Sequence, residues 1–191
     1  MKLLVLYLVF WMFPAAATAD AITWRDNVRG WYIGVDTSVD SGCYMTTSFE
    51  EGTVLRAAIN PALETFDFFV GDERWQSIES GKLYQLSVQF DSLEPWSGDS
   101  FGFRWNGTPY IGTRFSLNSD EAGNFVDQFM TRTSVSIRYE GRPVANLSLR
   151  GTYAAMLETF ECQSAMSEGS GSERSDPFSE GTSPGSEDPF R

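Results

Sequence analysis

The sequence contains no histidine. That absence excludes Ser-His-Asp and Cys-His machinery, histidine-ligated zinc and imidazole acid–base catalysis. Cysteine occurs only at Cys43 and Cys162, and lysine only at Lys2 and Lys82. Positive charge is scarce: 14 Lys and Arg face 26 Asp and Glu, for a net charge of −12. Such a surface repels phosphate backbones, which argues against a nucleic-acid partner, and it offers no basic patch to anionic lipid. There is no phosphate-binding loop, dinucleotide glycine fingerprint or nucleophile elbow. No segment after the first twenty residues is apolar enough to span a bilayer, so no membrane span is expected in the mature chain.

The first residues read as an export signal. Lys2 precedes the apolar run LLVLYLVFWMF, and Ala17-Thr18-Ala19 supplies the small-x-small pattern of a cleavage site. A signal peptide over residues 1–19 is expected, with Asp20 opening the mature chain; the alternative is an uncleaved anchor. The apolar run is shorter than the ~20 residues a relaxed helical span needs. Export places the protein in the periplasm or outside the cell, where oxidising conditions favour a Cys43–Cys162 disulfide over two buried thiols. Closing so long a loop stabilises the fold by roughly 4–5 kcal/mol in the chain-entropy account.

Most of residues 20–163 alternates with the period of strands. Tyr84, Leu86, Val88 and Phe90 interleave with Gln85, Ser87 and Gln89, and Cys43, Met45, Thr47 and Phe49 alternate likewise. EGTVLRAAINP reads as a strand, and ETFDFFV and RWQSI as strands parted by a Gly71-Asp72 turn. In FGFRWNGTPYIG, Asn106-Gly107 has the chemistry of a two-residue type I′ turn, which pairs Trp105 with Thr108 and Phe103 with Tyr110. SVSIRY and VANLSL form a second hairpin across Glu140–Pro143, with Val135, Ile137 and Tyr139 on one inward face and Ala145, Leu147 and Leu149 on the other.

Two helices interrupt the strands. Ala122, Phe125, Val126, Phe129 and Met130 form one apolar stripe, with Asn118 and Glu121 as a capping box. The second, TYAAMLETFEC, is expected to be capped by Thr152, to pack Tyr153, Met156, Leu157 and Phe160, and to end at Cys162. The fold class is therefore mostly β: a single antiparallel β-sandwich-like domain over residues 20–163 with two short helices. Residues 164–191 are rich in Ser, Gly, Pro and acid, hold too few apolar side chains to offset their ordering entropy, and read as a disordered tail.

Within that tail one triplet occurs twice: Asp176-Pro177-Phe178 and Asp188-Pro189-Phe190. A phenylalanine buried in a partner contributes about 1.5–3 kcal/mol, so each copy is a weak docking element, and two flexibly linked copies raise the effective concentration. The plainer reading is a solubilising tail. A second candidate is the acidic segment with Asp91, Glu94, Trp96 and Asp99, where a ring flanked by carboxylates suits sugar binding or glycan cleavage; its plainer reading is a solvated connection. Neither Asp36 with Asp40 nor Asp91 with Asp99 has the spacing of a calcium loop, and no metal or other cofactor is expected. Asn106 and Asn146 open N-x-S/T sequons, and Trp24, Trp31 and Trp75 have no assigned place.

GKLYQLSVQFD, DQFMTRTSVSIRYEGRPVANLSLRGTYAAMLETFEC and the cysteine of CYMTTSF resemble the invasion-associated locus B family of small secreted bacterial proteins. The similarity spans roughly residues 29–162. It implies an exported, β-rich domain linked with cell-surface interaction and without an established catalytic site. The function expected is non-enzymatic: binding of another macromolecule, with a protein as the expected partner, in the envelope or outside the cell. Two alternatives remain, a carbohydrate-binding or glycan-active protein and an acidic inhibitor or immunity-type protein directed at a basic enzyme.

Overall fold

The computed structural model describes residues 21–171; the expected signal peptide and both Asp-Pro-Phe triplets lie outside them. Ten strands occur in chain order: β1 (Ala21–Val28), β2 (Trp31–Asp36), β3 (Gly42–Ser48), β4 (Thr53–Asn60), β5 (Thr65–Asp72), β6 (Leu83–Phe90), β7 (Trp96–Trp105), β8 (Thr108–Ser116), β9 (Ser134–Tyr139) and β10 (Arg142–Ser148). Helix α1 (Asp120–Thr131) lies between β8 and β9, and α2 (Thr152–Gly171) follows β10. The strands form one antiparallel sheet in the order β1-β2-β3-β4-β5-β8-β7-β6-β9-β10. The fold is mostly β with two helices, as the alternation implies.

The sheet is strongly curled. Phe129 of α1 meets Trp31 of β2 at 6.1 Å and Phe90 of β6 at 6.4 Å between ring centroids. Those strands stand six places apart, which in a flat sheet would separate them by about 29 Å. The sheet therefore folds over α1, so its own inner faces oppose one another as the layers of a sandwich do. Phe125 fills the middle, edge-on to Phe68 at 5.2 Å and Phe90 at 5.1 Å. Burying each of these two rings contributes about 2–3 kcal/mol. Across the remaining opening, the Trp31 indole N–H donates to the Arg150 carbonyl at 3.1 Å.

The helices differ from expectation in detail. The cap of α1 is Ser119, whose hydroxyl accepts from the Ala122 N–H at 3.1 Å, rather than Asn118. Asp120 and Glu121 occupy the first turn, where the helix dipole favours them. Thr152 is the first residue of α2, and its hydroxyl donates to the Leu149 carbonyl. This helix packs through Ala155, Met156, Thr159 and Cys162, while Tyr153, Leu157 and Phe160 are exposed. Of the stripe read from the sequence, Met156 is buried against the sheet as expected, whereas Tyr153, Leu157 and Phe160 face outward. The helix also runs past Cys162 to Gly171 instead of ending at the cysteine. The Cys43–Cys162 disulfide forms as expected, with Cα atoms 6.1 Å apart. Beside it, Gln163 Oε1 accepts from the Cys43 N–H at 2.9 Å.

Both read hairpins are present. Asn106 and Gly107 carry φ of 49° and 85°, and Trp105 faces Thr108 while Phe103 faces Tyr110. Glu140 and Gly141 turn β9 into β10, so the second turn has two residues and β10 already begins at Arg142. Gly71-Asp72 is not a turn: β5 runs through both, and Trp75 and Ile78 lie in the turns that follow. Asp72 is buried there and gathers hydrogen bonds from the Arg74 side chain and N–H and from the Thr53 hydroxyl.

Chiefly through the Arg74 hydrogen bonds, the Asp72 pKa is lowered from 3.8 to about 2. A depressed carboxylate stabilises the fold fully above its unfolded pKa and loses that contribution as pH falls through the folded one. Unfolding free energy should therefore drop by about 1–2 kcal/mol more in the native protein than in Asp72→Asn between pH 4 and pH 2, after allowing for screening at exposed Arg74. Superimposable acid limbs in urea titrations would contradict this.

Candidate functional site

Among the described residues no helix packs on the outer face of the sheet, and much of that face is aromatic. Alternation along β2, β3, β4, β5, β8 and β7 turns Tyr32, Tyr44, Arg56, Phe69, Tyr110, Phe101, Phe103 and Trp105 outward from the core. Three strand glycines make this arrangement possible. A Cβ at Gly71 would collide with the Tyr110 ring, one at Gly112 with Phe69, and one at Gly34 with Tyr44. The rings thus lie flat over bare backbone. Phe69 meets Phe103 at 4.9 Å, and Phe103 stacks on Tyr110 at 5.4 Å.

Arg56 stands at the centre of this aromatic surface, from the middle of β4. Its guanidinium carbon is 3.6 Å from the Tyr44 ring centroid and 4.0 Å from that of Trp105. Tyr44 is buried, whereas Trp105 at the hairpin tip is 36% exposed, so Trp105 forms the solvent-side cover. Nη2 donates to Asp36 Oδ2 at 2.9 Å. Arg56 itself is only 4% exposed, and among the described residues its buried Nη1 has no hydrogen-bond partner. Burial pushes the Arg56 pKa down, opposed by Tyr44 and Asp36. A guanidinium starts so high that it stays charged at neutral pH. Burial likewise raises Tyr44 and Tyr110, which remain neutral phenols.

Two adjoining hollows of about 230 and 200 Å³ open beside Arg56, sharing Asp36, Phe69 and Phe103 among their walls. Together they exceed the roughly 300 Å³ at which small-ligand sites begin. Arg114 borders the first hollow and donates from Nε to Asp67 at 3.2 Å; Arg104 borders the second. The site therefore combines aromatic walls with cationic donors, one of them buried and unspent. A roomier depression of about 530 Å³ lies between Phe49–Glu51, Arg74 and β10. Its Glu51 and Arg74 side chains are 84% and 61% exposed, and its buried Thr53 already spends its hydroxyl on Asp72.

The acidic segment read from the sequence is not gathered into a site. Asp91 accepts from the N–H and hydroxyl groups of Thr133 and Ser134, bonds that hold its pKa down, with the Thr133 hydroxyl foremost. Trp96 packs inward against Phe115 and Phe125, and its indole donates to Gln128 Oε1 at 2.9 Å. Asp99 accepts from Gln85 on the outer face of β7, and Glu94 is exposed in the turn. Asp36 is engaged by Arg56 and by the Ser38 N–H and hydroxyl, while Asp40 is exposed. Among the described residues no three His, Cys, Asp or Glu side chains converge on a metal position. Asn106 serves its turn, and Asn146 of β10 accepts from the Ser136 hydroxyl. Trp31 is buried in the core, with Trp24 and Trp75 half-buried against it. Tail residues Asp176, Pro177, Phe178, Asp188, Pro189 and Phe190 lie outside the described residues.

Sequence reasoning passed over Arg56. Its signal is an arginine amid the apolar strand TVLRAAIN, opposite neighbouring strands in which glycine and aromatic residues share a face. No helix among the described residues is long and apolar enough to cross a membrane. Comparison with protein-family models, curated proteins and solved structures found no match to this chain.

Arg56→Lys replaces a planar cation that two rings can clamp with a compact ammonium that they cannot. Urea unfolding should show a loss of about 1–3 kcal/mol, part of it from the imperfectly paired Asp36. Wild-type stability in this variant would contradict the clamp.

Proposed function

We propose that this protein is an exported, non-enzymatic binding protein whose outer sheet face takes a segment carrying both a carboxylate and an aromatic group. The observation that carries the reading is the buried Arg56 guanidinium, held between Tyr44 and Trp105 with Nη1 unpartnered. A carboxylate supplies the missing acceptor, and charge-assisted bonds to guanidinium are the stronger class of hydrogen bond. The hollows walled by Phe69 and Phe103 accommodate the accompanying ring. Fixed aromatic walls with a few placed polar groups are a general feature of ligand sites.

Several features support binding over catalysis. The sequence has no histidine, and both cysteines are tied in the disulfide. The two carboxylates bordering the cleft, Asp36 and Asp67, are each paired with an arginine. The leader, the disulfide and the resemblance of residues 29–162 to the invasion-associated locus B proteins favour a role in the envelope or outside the cell. A protein partner offering acidic and aromatic side chains fits the cleft, whereas a phosphate backbone meets the chain's acidic field.

The test is a titration of purified, oxidised protein with N-acetyl-L-phenylalanine and, separately, with its neutral amide, followed at the Trp105 indole N–H resonance. Lone small ligands of this kind should bind with Kd of about 0.1 to several mM. The acid is expected to shift that resonance saturably, and the amide to do so at least tenfold more weakly. Equal responses to acid and amide, or none to either, would overturn the proposal.

A further inference from the structure

We infer that the protein's own second triplet, Asp188-Pro189-Phe190, docks in the Arg56 cleft in cis and acts as an internal competitor for it. The inference rests on the proposed carboxylate-and-ring specificity of that cleft. The two halves of the triplet match the two halves of the site. Asp188 offers Nη1 of Arg56 its missing acceptor, and Phe190, two residues on, offers a ring to the hollow between Phe69 and Phe103. Trp105, covering the guanidinium from the hairpin tip, is the side chain that must shift to admit the carboxylate. Charge favours the match. Arg56, Arg104 and Arg114 border the hollows against Asp36 and Asp67, a small positive excess, while the chain beyond Gly171 holds five acidic residues against two arginines.

Reach distinguishes the two copies. Helix α2 is anchored where Cys162 joins Cys43, with Cα atoms 6.1 Å apart. From there it runs nine residues to Gly171, about 14 Å. Cys43 lies three residues along β3 from Thr46, the partner of Arg56 across the ladder, another ~10 Å. The return path from Gly171 to Arg56 is thus up to roughly 30 Å before it rounds the end of the sheet. Asp176 is five residues beyond Gly171 and extends at most about 17 Å; Asp188 is seventeen residues beyond and extends up to about 58 Å. The second triplet spans even the longest such path with slack to spare, whereas the first reaches the cleft only if the path is shorter than about 17 Å.

Covalent attachment through a linker of this length gives an effective concentration of about a millimolar or more, comparable to the weak affinity expected of one short segment. Occupied in this way, the cleft binds any outside ligand less tightly, by the fraction of time the tail leaves it open. The same N-acetyl-L-phenylalanine titration distinguishes the possibilities when run on the full oxidised chain, on Phe190→Ala and on Phe178→Ala. Phe190→Ala should bind the probe roughly two- to tenfold more tightly than the native chain, and Phe178→Ala should match the native chain. The gain should be the same at 20-fold different protein concentrations. Equal, measurable affinity in all three proteins would remove the tail from the cleft and leave the cleft reading intact. A gain from Phe178→Ala equal to that from Phe190→Ala would overturn the choice of triplet, and a gain that depends on protein concentration would overturn docking in cis. Absence of binding in every protein would defeat the cleft reading and the tail inference together.

Discussion

The structure depends on Phe125 and Phe129 wedging one side of a single curled sheet. Trp31 and Phe90 can reach the same ring from strands six places apart only because the sheet has folded around α1. This covers the inner face, and among the described residues the outer face has no second layer. Aromatic rings laid over Gly34, Gly71 and Gly112 cover that face instead. A glycine within a strand costs conformational entropy, but here it admits a ring whose burial more than offsets it. The disulfide then pins α2 across β3 and closes a loop of most of the domain.

Arg56 is the consequence of this economy on the outer face. Taking a cation out of water costs several kcal/mol even after relaxation. One hydrogen bond to Asp36, whose side chain is 18% exposed, and two ring faces offset part of that penalty. Cation–π contacts contribute about 0.5–2 kcal/mol each, depending on desolvation, so the balance is close. An unspent donor in that setting has a larger incentive to find an acceptor than the members of exposed ion pairs such as Lys82–Glu79, which water solvates well. The site is therefore poised for an anion that brings its own apolar cover.

Much of the scaffold was legible in the sequence because its signals are local. Asn106-Gly107 announces its turn, the stripe from Ala122 to Met130 announces α1, and two cysteines behind an expected export signal announce their bond. What was misread depends on neighbours distant in the chain. Gly71 has turn chemistry, but its role is to accept the Tyr110 ring from another strand. Tyr153, Leu157 and Phe160 look like a packing face, yet the side that the disulfide turns to the sheet is that of Ala155, Met156, Thr159 and Cys162. Asp91 resembles a ligand-loop acid, yet it holds the start of β9 through Thr133 and Ser134. Arg56 was invisible for the same reason: its clamp joins β3, β4 and the tip of the β7–β8 hairpin, and no spacing within one segment reveals it.

The central claim is that Arg56 is locked between two rings with one side of its guanidinium unsatisfied, and nitrogen-detected NMR of that side chain addresses it directly. The account predicts separate, slowly exchanging Nη1 and Nη2 signals with strong upfield ring-current shifts, and protons on Nη1 that move downfield when a carboxylate ligand arrives. A single averaged Nη signal at the position of solvent-exposed arginines, unmoved by ligand, would contradict it.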